Sequence, residues 1–178
     1  MSTYPFRGKL PVIAPDAWIA PGARIIGNVT IGSRSSIWFN CVLRGDINTI
    51  DIGTGTNLQD GTVVHVSSDR FRTVIGNDIL IGHTCIIHGC ELQDTSFVGM
   101  GAVVMDGCVV EPDAMVAAGA LVTPGTIIRR GEIWAGRPAK FMRKLEERDF
   151  ERQRMAAIRY AENAQEYLRE LGSETGRG

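Results

Sequence analysis

"VGMGAVVMDGCVVEPDAMVAAGALVTPGT", Val98 to Thr126, carries an aliphatic residue every six positions: Val98, Val104, Val110, Val116 and Val122. Four positions after each stands a small residue: Ala102, Cys108, Ala114, Ala120 and Thr126. Outward from this stretch the same two beats continue. The aliphatic one runs Ile13, Ile19, Ile25, Ile31, Ile37, Leu43, resumes at Ile52, Leu58, Val64, again at Ile75, Ile81, Ile87, and joins the quoted stretch through Leu92. The small one includes Ala17, Ala23, Val29, Ser35, Cys41, Thr56, Thr62, Cys85 and Ser96, with Ile79 as its bulky exception. Two beats in register over so much chain define an internal hexapeptide repeat, the signature of a parallel β-helix made of very short strands. Three hexapeptides make one triangular coil with an aliphatic pointing inward from each face. The second inward slot is small because the prism is narrow. Coils stack at ~4.8 Å, and grouping in threes gives about six coils between Ile13 and Thr126.

The fold class that follows is all-β with a C-terminal α segment. Residues 1–138 form the β-helix, which ends near "WAGRPAK", Trp134 to Lys140, where Gly136 and Pro138 punctuate the exit. Residues 139–171 lack Gly and Pro and are rich in helix formers. They are expected to form one or two helices packing on the prism through Tyr160, Ala164, Tyr167, Leu168 and Leu171. Residues 172–178 read as a frayed tail.

Composition removes several classes of function. With 178 residues, 22% charged and a net charge of −1, the chain shows no basic stripe for nucleic acid or an anionic membrane. No apolar run is long enough to span a bilayer, and "MSTYPFRGKL" lacks the layout of a secretory signal. A cytoplasmic location is expected. The 21 glycines and 7% aromatic content suit many turns around a thin core. The four cysteines form no Cys-x-x-Cys pair. Cys41, Cys85 and Cys108 fall in the small inward slot and Cys90 in a shortened repeat, so all four read as packed free thiols rather than nucleophiles or ligands.

The beat slips three times. Leu43 to Ile52 is nine, Val64 to Ile75 is eleven, and Ile87 to Leu92 is five. Every slip follows the third aliphatic of a coil, so the irregular residues share one corner, and loops of this kind carry function. His65 directly follows Val64 and His88 directly follows Ile87. They should stack roughly 5 Å apart. His83 follows Ile81 by two and precedes His88 by five, roughly 16 Å along an extended run. Zinc–nitrogen bonds are only ~2.0–2.1 Å. If the three histidines share a metal, the site therefore lies between subunits, with His65 and His88 from one chain and His83 from its neighbour, and a closed three-fold ring follows. Arg44 precedes His65 by one coil in the same stack, and Asp46 is placed to pair with an arginine, within or across subunits. Asp60, preceded by Gln59, occupies the column of His83 and suits the second nitrogen of a metal-bound imidazole.

"LRGDINTIDIGTGTNLQDGTVVHV" (43–66), "IGHTCIIHG" (81–89), "VGMGAVVMDG" (98–107) and "WAGRPAK" (134–140) resemble the γ-class carbonic anhydrases of the hexapeptide-repeat superfamily. The resemblance covers essentially the whole prism. It implies a left-handed β-helix and a homotrimer with zinc, or alternatively iron or cobalt, at each interface. His65, His83 and His88 match the ligands of that family. Arg44 and Asp46 match its interfacial pair, and Gln59 and Asp60 match its Gln-Asp beside the metal. Tyr160 and Asn163 resemble polar residues that relatives bring near the site from the C-terminal helix. The implied activity is reversible hydration of CO2 to bicarbonate by a metal-bound hydroxide. There are two departures: Ile47 stands where the archaeal prototype has a glutamate, and the loop "SSDRFR" (67–72) is short, with Asp69 its single carboxylate. Both remove groups implicated in proton handling and leave the metal ligands intact. Coenzyme A thioester hydrolysis or acyl transfer on the same scaffold, and a weakly active metal-binding structural subunit, are the alternative readings.

Overall fold

In the computed structural model, which describes residues 2–68 and 70–171, residues of equal phase in the repeat lie directly above one another. One face stacks Ile13, Ile31, Ile52, Ile75, Leu92, Val110 and Ile128. The second stacks Ile19, Ile37, Leu58, Ile81, Val98, Val116 and Trp134. The third stacks Ile25, Leu43, Val64, Ile87, Val104 and Val122. All these pairings are parallel, and the architecture is the expected left-handed β-helix. It has seven turns rather than six, because the period runs on through Ile128 to Trp134, where an indole takes the aliphatic slot.

The core is the inside of the prism. Its aliphatic columns are buried, and so are the small slots between them. Three hydroxyls in those slots bond the backbone of the next coil, whereas Ser96 Oγ is buried without a partner among the described residues. Ser35 Oγ donates to the Gly53 carbonyl at 2.7 Å, Thr56 Oγ1 to Gly76 at 2.7 Å, and Thr62 Oγ1 to Gly82 at 3.1 Å. These three buried hydroxyls are thereby satisfied. The corners stack as tightly as the faces. A Cβ on Gly82 would lie 2.5 Å from the Met100 nitrogen, and one on Gly99 2.4 Å from that of Ala118, which is why glycine so often follows the repeat aliphatic.

All four cysteines are buried free thiols. Burial pushes Cys41 up to about 12 and Cys85 up to about 11, and raises Cys90 and Cys108 as well. Since the thiolate is the reactive form, the folded protein should react negligibly with a thiol-specific chromogenic disulfide at pH 8. All four thiols should titrate after unfolding in guanidinium. Rapid labelling of the native protein would contradict the packing.

The exit departs from the expected helix at 139. Ala139–Lys144 is a strand, antiparallel to Glu132–Gly136. Gly136 has φ +96°, a left-handed conformation that lets the chain reverse onto itself. The returning strand pairs the last edge of the solenoid, which would otherwise expose a row of backbone donors and acceptors. That tertiary demand outweighs the helix-forming composition. A single helix, α1 (Glu147–Leu171), follows. Arg143 donates to both carboxylate oxygens of Asp149 at 2.6 and 3.0 Å, and Asp149 also accepts from the Glu146 amide at 2.8 Å. The guanidinium holds the Asp149 carboxyl well below the usual range, and the pair anchors the start of α1 to the hairpin.

α1 lies on the second face. Tyr160, Ala164, Tyr167 and Leu168 pack against Trp18, Ala20, Trp38 and Phe39. Tyr167 stacks on Trp18 at 5.1 Å and Tyr160 meets Trp38 edge-on at 5.1 Å. Leu171 does not join this cluster and is 42% exposed. Among the described residues no helix is long and apolar enough to cross a membrane. Asp69 and the tail 172–178 lie outside the described residues.

Candidate metal centre

His65 and His88 are register partners at the ends of adjacent strands on the third face. Their ring centroids are 5.1 Å apart, and His65 Nδ1 lies 3.1 Å from His88 Nε2. The far nitrogen of each ring faces a carboxylate. His65 Nε2 is 3.0 Å from Asp46 Oδ1, and His88 Nδ1 is 2.5 Å from Asp106 Oδ1. An ionised carboxylate only accepts, so the hydrogen of each neutral imidazole sits on the nitrogen facing the aspartate. The nitrogens facing each other then both present lone pairs. Two lone pairs at 3.1 Å repel unless a proton, as in an N–H···N bond, or a metal cation lies between them. Two nitrogens on one tetrahedral zinc with ~2.0–2.1 Å bonds are separated by about 3.3 Å. The spacing is compatible with two co-ligands of one metal as well as with an N–H···N bond, and the donor set fits zinc.

His83 occupies the next corner, between the second and third faces. Thr84 there has φ +57°, so the run to His88 turns rather than extends and spans less than the 16 Å of a straight strand; only Ile86–His88 is strand. His83 Nδ1 faces Asp60 Oδ2 at 2.7 Å, as the column register implies, and the Tyr160 hydroxyl lies 3.2 Å from Nε2. By the same logic Nε2 carries a lone pair, to which Tyr160 donates. Burial first, then the negative charge of Asp60, raises the Tyr160 phenol above its ordinary value, so it keeps its proton at neutral pH. Each of the three histidines thus has one nitrogen facing a carboxylate, a common outer arrangement of metal-binding imidazoles; the second nitrogens of His65 and His88 face each other, and that of His83 is occupied by the Tyr160 hydroxyl. Among the described residues of one chain, no three His, Cys, Asp or Glu side chains gather as a metal site.

The other expected residues fall as follows. Arg44 bonds Asp46 within the same chain, so Asp46 serves both the arginine and His65. Those two contacts hold its carboxyl below the usual range despite its partial burial, which acts in the opposite sense. Gln59 is buried, its amide nitrogen 3.5 Å from Asn57 Oδ1. Asn163 is exposed on α1, beside Glu166, Tyr167 and Glu170. Two residues were not singled out from the sequence. Asp106 follows Val104 by two, at the corner one coil above His88; counting by coil position would have found it. Thr73 is buried, donates to the His65 carbonyl at 2.6 Å and accepts from the Gly89 amide at 3.0 Å. It bolts together the backbone just behind both histidines.

Known proteins share this chain's pattern. Gamma carbonic anhydrase 1, mitochondrial, of Arabidopsis thaliana is 46% identical over 167 residues, 91% of this chain. A carbonic anhydrase of Geobacillus kaustophilus is 40% identical over 164 residues, covering 92% of this chain and 90% of its own length. The chain belongs to the γ-class carbonic anhydrase family. It spans 61% of the Arabidopsis relative's length, so the longer plant γ-class protein has sequence with no counterpart here. The bacterial transferase hexapeptide (six repeats) family matches residues 11–45, within the first coils. The crystal structure of a hexapeptide transferase family protein from Anaplasma phagocytophilum superimposes with a TM-score of 0.89 at 48% identity, over 93% of this chain and 98% of that one.

Proposed function

We propose that this γ-class chain is a homotrimeric, zinc-dependent carbonic anhydrase that interconverts CO2 and bicarbonate, with its metal sites between subunits. The observation that carries the proposal is the pair of imidazole nitrogens facing each other at 3.1 Å, each ring backed by an aspartate. The faces of the prism supply the assembly. The second is covered by α1, and the first points Asp51 and Glu91 outward among apolar residues. The third points Arg24 outward at its first coil and then Val42, Val63, Ile86, Val103 and Leu121, with Val63 39% and Ile86 44% exposed. Such an aliphatic stripe is suited to a subunit interface. If the third face of each subunit turns toward a three-fold axis, the corner bearing His83 meets the neighbour's corner bearing His65 and His88. Two histidines of one chain and one of the next then surround a common point, three times per ring.

His65 and His88 of one chain and His83 of its neighbour would hold zinc, or iron or cobalt in its place, and the metal would supply a Lewis acid able to lower the pKa of water toward ~7. Asp46, Asp60 and Asp106 hold the rings in the donating tautomer. Tyr160 keeps a hydroxyl proton beside His83, where it can orient a bound oxygen. Gln59 and Asn163 are the remaining polar groups proposed to line the substrate approach, and the Arg44–Asp46 pair is proposed to brace the interface. Ile47, 44% exposed, brings no carboxylate to accept a proton, which favours slow turnover. Four buried free thiols suit a reducing compartment such as the cytoplasm.

The test is stopped-flow CO2 hydration by zinc-loaded protein beside a chelated and a reloaded sample, with acetyl-coenzyme A offered to the same preparations. Hydration lost on chelation and regained on reloading is expected. Metal-dependent thioester cleavage without hydration would transfer the site to the alternative chemistry.

A further inference from the structure

We infer that Asp106 is the positioning residue of His88, and that Phe71, from the short loop after His65, holds Asp106 in place; the inference rests on the metal reading of the histidine pair. Asp106 does not lie on the strand of either histidine. It reaches His88 from the corner of the next coil, and the approach is tight. A Cβ on Gly89, the residue after His88, would lie 2.4 Å from Asp106 Oδ1. The carboxylate therefore reaches the ring only because residue 89 has no side chain.

Phe71 lies beside Gly89 and Gly107. The Gly89 Cβ position is 3.1 Å from Phe71 Cβ, and the Gly107 Cβ position is 3.1 Å from Phe71 Cε1 and Cζ. The ring therefore lies across the two glycines that directly follow His88 and Asp106. The Arg70 guanidinium sits 5.6 Å from the ring centroid. The loop is pinned by the Ser67 amide donating to the Phe71 carbonyl at 3.0 Å and by Asn48 Nδ2 donating to the Ser68 carbonyl at 2.8 Å. The short loop thus has a mechanical use of its own. It fixes a carboxylate that locks His88 with hydrogen on Nδ1 and the Nε2 lone pair toward His65.

Two readouts test this in the full-length protein: the histidine tautomers of the metal-free form, from nitrogen-15 NMR assigned by substitution, and zinc affinity by competition with a chelator. Asp106→Ala should release His88 into a mixture of tautomers and weaken zinc about 10–100-fold, the usual effect of losing an outer-shell partner. Asp106→Asn, whose amide oxygen still accepts from Nδ1–H, should keep the tautomer and most of the affinity. Phe71→Ala should shift both readouts in the same direction by less, and Phe71→Leu should restore them. A folded Asp106→Ala protein with wild-type tautomer and zinc affinity within twofold of wild type would overturn the inference while leaving the metal reading intact. If wild type takes up no zinc, the metal reading fails, and the tautomer of His88 in the variants still decides the role of Asp106.

Discussion

Replacing His83 with alanine should empty every metal site of a trimer, although each chain keeps the stacked pair His65 and His88. The loss should exceed the roughly 10–100-fold that follows removal of an outer-shell partner, because a ligand itself is gone and only two imidazoles remain. Zinc per chain, measured by elemental analysis after gel filtration, should fall from near one to near zero with the trimer intact. Mixing subunits gives a sharper test. A His83→Ala chain still offers His65 and His88, and a His88→Ala chain still offers His83. Co-assembled, the two should rebuild sites only where the right corners meet, so zinc and activity should reappear in mixed trimers of two inactive parents. A His83→Ala protein that retains stoichiometric zinc, or mixed trimers that regain none, would exclude the shared site.

Trp38→Ala should have the largest effect on stability, about 3–5 kcal/mol for loss of a buried aromatic. The indole touches Trp18, Phe39, Tyr160 and Tyr167, and donates to Ser36 Oγ at 3.1 Å. It is the centre of the patch that docks α1, and through Tyr160 it also sets the hydroxyl beside His83. Urea denaturation should show the loss. Hydrogen exchange should quicken in α1 well before the solenoid, since the core of the prism makes no use of the indole. Trp38→Phe should recover part of both. Unchanged exchange in α1 would mean that other contacts dock the helix.

The solenoid was largely legible before any coordinates, and so was part of the site. The phase of a hexapeptide repeat is also an address: equal phases stack, so counting from Val64 and Ile87 places His65 beside His88 at a separation of twenty-three. The same count places Asp60 under His83 and turns Cys41, Cys85 and Cys108 inward. Equal phase gives no address where the chain leaves its period. The final turn was missed because Trp134 stands in an aliphatic slot, and the strand Ala139–Lys144 because its composition favours helix.

The sequence by itself determined the register of the coils and the separation of the histidines between two corners, because stacking in a parallel solenoid is a local rule repeated. Only the tertiary structure decided that Asp46 meets His65, that Phe71 lies over Gly89 and Gly107, and that α1 brings Tyr160 to His83. Those contacts depend on side-chain reach across irregular corners and on where a separate helix settles. Neither is periodic, so neither is written in the spacing.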